Sequence, residues 1–310
     1  LNLQFIPGKI MNKIKQASLM TAIKTPYLPN RKFDLEAFDK LVELQIKSGV
    51  QGLIVGGTTG EGQLMGWDEH IMLIAHCVHK YSDQLVIVGN TGSNNTYEAH
   101  RATEQGFAVG MDAALQINPY YGKTSSKGNI AHFQKLLDLG PGIIYNVPGR
   151  TGQDIEPEII ELLAQNKNLV GIKECMGLDR IKHYETQGIA CWSGNDDLSH
   201  DCRHLGKSHG VISVASNVIP KTMRILMDSP QSELDKQLKT FFDWLFCEPN
   251  PIPLNTIMPM LGLSKPIFRL PYVPLDENQR AEGLKIFKDL NLDELNTDIQ
   301  NLSDDQYICL

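Results

Sequence analysis

No stretch of this chain approaches the roughly 20 consecutive apolar residues that a membrane helix needs, so a spanning helix is not expected. Positive charge is also short. The 29 Lys and Arg residues stand against 36 Asp and Glu, a net charge of −7, and no basic patch dominates. Nucleic acid and anionic membrane are therefore unexpected as partners. No C-x-x-C pair occurs among the six cysteines, Cys77, Cys175, Cys191, Cys202, Cys247 and Cys309. Free thiols in a reducing compartment fit them better than a disulfide framework. The segment LNLQFIPGKIMNKIKQ lacks a long apolar core and a small-residue cleavage site, and it does not read as a clear transit peptide. What remains, 42% hydrophobic and 21% charged residues, is ordinary for a globular protein with a full core.

Short apolar runs alternate with helix-length amphipathic segments. LMTAIKT precedes DLEAFDKLVELQIK, where Asp34 is an expected N-cap and Leu35, Phe38, Leu41 and Val42 recur at helical spacing. VQGLIVGG, LVIVGN, MDAALQIN, GIIYNV, LVGIKE, IACWSG and GVISV follow in turn, each with its own helical segment. Eight strand–helix units ending near Asp228 predict parallel strands with right-handed crossovers, closed into a (β/α)8 TIM barrel. A doubly wound sheet is the rival, and the count of eight favours closure. Residues 1–16 form an N-terminal extension in this reading, 17–228 the barrel, and 229–310 a small C-terminal helical region punctuated by prolines 249–253 and 271–274.

In such a barrel the active site lies at the C-terminal ends of the strands. There the chain places GGTTGEG with Thr58 and Thr59, NPYYGK with Tyr120 and Tyr121, Tyr145 and then Arg150, Lys173, SGNDD, and ASN. The glycines suggest a tight turn rather than a phosphate cradle, because no G-K-[ST] follows them. Tyrosines beside a proline usually only pack. Arg150 suits a surface position, or a clamp on a carboxylate.

Lys173 ends a buried apolar run. A lysine at a strand end commonly extends its amine into solvent. Inside a barrel mouth, desolvation instead favours the neutral amine near pH 7. Such an amine attacks a ketone to give a Schiff base, and a neighbouring tyrosine can move the protons. A competing set, Asp196, His200 and His204, recurs every four residues as metal ligands do. A solvated helix face on the barrel exterior explains that pattern better.

Taken in order, GGTTGEG, NPYYGKT, IIYNVPGRTG, VGIKEC and SGNDD…GVISVASN resemble the dihydrodipicolinate synthase (4-hydroxy-tetrahydrodipicolinate synthase) family from about Met20 to Pro274. KTPYLP, GEGQLMGWDEH and LFCEPNPIPLNT are most similar to its plant type. The resemblance implies condensation of pyruvate with L-aspartate 4-semialdehyde, the first committed step of lysine biosynthesis by the diaminopimelate route. It implies that Lys173 forms the Schiff base, that Tyr145 shuttles protons, and that Thr59 links Tyr145 to a Tyr121 reaching in from a neighbouring subunit. Thr58, Thr59, Arg150, Gly194 and Ile212 are the implied substrate-binding positions. Gln63, Trp67, His70, Asn94, Glu98 and Tyr120 match a lysine-binding feedback site. It further implies no metal or organic cofactor, and a homo-oligomer, a tetramer built as a dimer of dimers. The compartment is the chloroplast stroma for a plant source and the cytoplasm for a bacterial one.

One departure is visible: Gly149 stands where a serine is expected before Arg150, which bears on semialdehyde affinity rather than on reaction type. Sibling lyases acting on N-acetylneuraminate or 2-keto-3-deoxy sugar acids share the scaffold and the lysine. Arg150, paired Thr58 and Thr59, and Tyr121 argue against them. A non-catalytic amino-acid-binding paralogue is the remaining alternative.

Overall fold

The computed structural model describes residues 7–295 and 299–310. Eight parallel strands close into a barrel: β1 (Leu19–Ala22), β2 (Gly52–Val55), β3 (Val86–Asn90), β4 (Ala113–Ile117), β5 (Gly142–Asn146), β6 (Leu169–Glu174), β7 (Cys191–Ser193) and β8 (Gly210–Ser213). β8 returns to pair with β1, with Ile212 opposite Met20. The expected (β/α)8 barrel is thus the observed one, because these short runs are apolar on both faces.

Alternation divides each strand between two cores. Met20, Ala22, Ile54, Val86, Val88, Leu115, Ile143, Trp192 and Ile212 fill the barrel interior. Their neighbours Leu53, Val55, Ile87, Ile144, Ile172 and Val211 face the surrounding helices. Each such fully buried aliphatic side chain contributes about 1.5–3 kcal/mol. Asp34 caps the helix Leu35–Lys47 as its sequence suggests, its carboxylate accepting the Ala37 N–H at 3.2 Å.

Residues at the N-terminus do more than extend the chain. The helix Pro7–Gln16 runs directly into the barrel. Its Ile14 is fully buried among the interior residues, and Trp192 Nε1 donates to the Ala17 carbonyl at 2.8 Å. At the other end, the helices Ser232–Leu245, Ile252–Met260 and Glu277–Leu290 appear as expected. Calling that region purely helical is incomplete, however. A short parallel ladder joins β9 (Ile267–Phe268) to β10 (Ile308–Cys309). Two-residue strands carry no readable alternation, so no sequence period announced them.

Candidate active site

Tyr145 and Lys173 occupy matched positions on β5 and β6. Side chains in register on adjacent parallel strands point to the same side, so both enter the barrel mouth. Lys173 Nζ lies 4.3 Å from the centre of the Tyr145 ring, and both residues are buried. Burial lowers the Lys173 pKa from the ordinary lysine value; Cys175 and Asp196 oppose that shift and Arg150 reinforces it. The same burial holds the Tyr145 phenol well above its usual range, so it stays protonated at neutral pH.

The next residue pair out, Asn146 and Glu174, fixes the strand ends that carry these groups. Asn146 Nδ2 donates to both Glu174 oxygens, at 3.0 and 3.2 Å. Glu174 also accepts the N–H groups of Cys175 and Met176 at 2.8 and 2.9 Å. The turn after β6 is therefore tied to the strand that ends in Lys173.

Asp196 corrects the expectation of a solvated helix face. The helix begins only at Ser199, and Asp196 precedes it, fully buried. Its carboxylate accepts from Ser213 Oγ at 2.5 Å and from the N–H groups of Val214 and Ala215 at 2.9 and 3.1 Å. It thus braces the end of β8; burial raises its pKa, while these three donors and nearby Lys173 oppose that shift. His200 is buried as well, while His204 is half-buried, with Nε2 2.8 Å from the Leu226 carbonyl. His200, Asp201 and Asp235 come together in space. Yet His200 Nε2 accepts the Gln231 N–H at 3.0 Å. Its proton then sits on Nδ1, 3.3 Å from Asp201, and neither nitrogen is free to ligate.

A cavity of about 1000 Å3 opens over Lys173. Thr58, Thr59, Tyr145, Arg150 and Gly194 line it. Gln63, Trp67, His70, Glu98 and Tyr120 line the same cavity farther out. The expected catalytic and effector positions are thus contiguous. Gly56 makes the turn between them possible: its φ is +66°, and a Cβ there would come within 1.9 Å of His70 Nε2. Burial drives the His70 pKa down to about 4, so its ring is neutral. Trp67 and His70 rings lie 5.1 Å apart, Trp67 Nε1 donates to Gln105, and Gln63 Nε2 donates to Tyr272 Oη at 2.8 Å.

Three expected residues lie outside the cavity lining. Ile212 is fully buried in the barrel interior. Asn94 is exposed and donates to the Tyr120 carbonyl at 3.3 Å. Tyr121 is 93% exposed with φ of +66°, in a tight turn closed by Gly122 N–H to the Tyr120 carbonyl at 2.8 Å. Such a conformation costs about 1–3 kcal/mol for a non-glycine residue.

Gly194 approaches Lys173 closely. A Cβ there would sit 2.4 Å from Cys175 Sγ and 3.0 Å from Lys173 Cε. Gly194→Ala is expected to lower kcat/KM for pyruvate by on the order of tenfold through misplacement of the amine. Partial recovery is expected in Gly194→Ala/Cys175→Ala, and steady-state kinetics on both variants checks it. Gly149, by contrast, has nothing within 4 Å of the place a Cβ would occupy, so serine would fit there.

Sequence reading missed Cys175, whose thiol lies beside Lys173 and Tyr145 and is pushed up to about 11 by burial. It missed Asn250 as well, and the one-turn helix Pro148–Thr151 that carries Arg150. Phe246, Pro249 and Asn250 bring the C-terminal region to the cavity wall. The motif LFCEPNPIPLNT pointed at this segment without showing which residue faces the site.

Fold and mouth define a class: a (β/α)8 barrel with a buried lysine amine at the C-terminal ends of its strands. A family model described as the dihydrodipicolinate synthetase family matches residues 15–290, and the chain belongs to that family. It is 55% identical over 298 residues to the chloroplastic 4-hydroxy-tetrahydrodipicolinate synthase of Nicotiana tabacum, covering 95% of this chain and 83% of that one. Among solved structures, it is similar to the chloride-inhibited dihydrodipicolinate synthase of Acinetobacter baumannii complexed with pyruvate. The TM-score is 0.84 at 33% identity, over 88% of this chain and 98% of the other. The lysine-bound enzyme of Cyanidioschyzon merolae superposes with a TM-score of 0.83 at 27% identity, covering 90% and 99% of the two chains.

Proposed function

We propose that this chain is a lyase condensing pyruvate with L-aspartate 4-semialdehyde to 4-hydroxy-tetrahydrodipicolinate, the first committed step of lysine synthesis by the diaminopimelate route. One observation carries the reading: a buried amine, Lys173 Nζ, 4.3 Å from the Tyr145 ring centre at the mouth of a barrel. Its depressed pKa keeps a neutral fraction available to attack the pyruvate carbonyl. Water leaves the carbinolamine, and the resulting imine accepts electrons as a methyl proton departs. The enamine carbon then adds to the aldehyde. The α-amino group of the condensed product attacks the imine carbon, closes the ring and frees Lys173. Tyr145 moves protons in these steps, with Thr59 and the Tyr121 of a second copy completing the relay. The imine itself is the electron sink, so the chemistry calls for no metal or organic cofactor.

Thr58 and its turn hold the pyruvate carboxylate, and Arg150 meets the semialdehyde carboxylate. Arg150→Ala is expected to raise the KM for semialdehyde about tenfold or more while leaving the pyruvate adduct intact. Steady-state kinetics alongside adduct mass spectrometry checks it. The exposed, strained Tyr121 supports a homo-oligomer, a tetramer made of two dimers. The outer cavity takes L-lysine as inhibitor: Glu98 offers a carboxylate to an ammonium and Trp67 an apolar face. A plant source places the protein in the chloroplast stroma, as the designation of the tobacco relative supports. Among the described residues no helix is long and apolar enough to cross a membrane.

Borohydride reduction with pyruvate, read by mass spectrometry, tests the chemistry. The expected result is one adduct, on Lys173. An aldehyde panel tests the substrate. Turnover with N-acetylmannosamine but not with aspartate semialdehyde would sink the assignment.

A further inference from the structure

Asn250 lies far from every strand motif, between the helices Ser232–Leu245 and Ile252–Met260. It nevertheless touches two residues of the mouth. Its side-chain Nδ2 donates to Thr59 Oγ1 at 3.0 Å. Its main-chain carbonyl accepts from Arg150 Nη2 at 2.9 Å. Asn250 is only 6% exposed and lines the cavity, and its Oδ1 has no partner among the described residues.

We propose that Asn250 is a positioning residue for the condensation: its side-chain amide fixes the direction of the Thr59 hydroxyl, and its main chain anchors Arg150. A threonine hydroxyl has one hydrogen to donate and two lone pairs. An amide N–H already directed at Oγ1 fills one lone pair and leaves the hydrogen free to point elsewhere. Thr59 is then a donor toward the relay, where a tyrosine oxygen must accept a proton in part of the cycle. Without the amide, the hydroxyl rotates freely, and Thr59 is buried deeply enough that few other partners compete. Asn250 thus sets the polarity of the relay from a segment outside the barrel. The same residue holds the semialdehyde clamp at a fixed place relative to that relay. This builds on the reading of Thr59 as a relay hydroxyl.

The two functions separate by substitution, because one uses the side chain and the other the backbone. Asn250→Asp keeps the shape but replaces the donor with an acceptor, which draws the Thr59 hydrogen toward itself. Its kcat is expected to fall at least about tenfold, with the KM for semialdehyde within about twofold of the parent, since the carbonyl that holds Arg150 remains. Asn250→Ala, which removes the donor without reversing the polarity, is expected to lose less, about threefold. Acid pH should recover part of the loss in Asn250→Asp relative to the parent, because a protonated carboxyl donates again. In a Thr59→Val background, Asn250→Asp should add almost nothing.

Borohydride trapping of the parent is run first. No adduct in the parent overturns the reading of the site and this role with it. With an active parent, equal kcat in Asn250→Asp overturns the positioning role alone. So does a loss equal to that of Asn250→Ala with no recovery at low pH, or a rise in semialdehyde KM matching the fall in kcat. If Asn250→Asp does not fold, judged by its thermal melt, Asn250→Ala with and without Thr59→Val decides: additive losses overturn the role, and non-additive losses support it.

Discussion

Lys173→Met is expected to abolish both the pyruvate adduct and turnover while raising the melting temperature. The two effects share one cause. Lys173 is enclosed beside the Tyr145 ring and the Cys175 sulfur, and burial holds its pKa below 10.5. Between the folded pKa and 10.5 the unfolded chain binds the extra proton. Parent stability therefore rises with pH across that window, and the penalty is greatest below it. Methionine keeps most of the length of the side chain and carries no charge to desolvate. The variant should melt higher than the parent at neutral and acid pH, and the gap should close as pH approaches 10.5. Thermal melts across pH check the first part, and borohydride trapping the second. A variant that melts no higher than the parent at neutral pH would mean that the amine is not under desolvation stress.

Tyr145→Phe is expected to reduce kcat by on the order of a hundredfold or more, the usual range for a lost proton-transfer group. The ring that packs over Lys173 remains, so folding and slow adduct formation should persist. A phenol is protonated at neutral pH, and burial moves its pKa further above that range, so Tyr145 would enter the cycle as a donor. If the variant matched the parent in single-turnover experiments, the relay would have to run through another group. Cys175 is a poor substitute: its thiol, pushed up to about 11, offers little thiolate at neutral pH.

Much of this was legible in the residues because its physical causes are local. Eight short apolar runs separated by amphipathic segments admit few architectures, and the register that pairs Tyr145 with Lys173 follows from strand alternation. The turn chemistry of GGTTGEG was readable as well. What escaped depends on contacts between distant segments. Asp196 shares a four-residue spacing with His200 and His204, but the helix starts only at Ser199, so the spacing carried no information about a common face. Asn250 reaches Thr59 across 191 positions of sequence. The ladder of β9 and β10 is two residues wide and joins segments 41 positions apart in its first pair, 308 − 267.

Synthesis proceeds from the N-terminus, and domains begin to fold in that order. The barrel can close once β8 has emerged, because β8 pairs with β1. At that moment Lys173 and Tyr145 already stand on neighbouring strands. Phe246, Pro249 and Asn250, which complete the cavity wall, are still to come. A growing chain therefore has the matched strand ends of Tyr145 and Lys173 early and the C-terminal wall of the cavity late. A fragment ending after β8 would hold Tyr145 and Lys173 side by side in a mouth still open where Phe246, Pro249 and Asn250 close it.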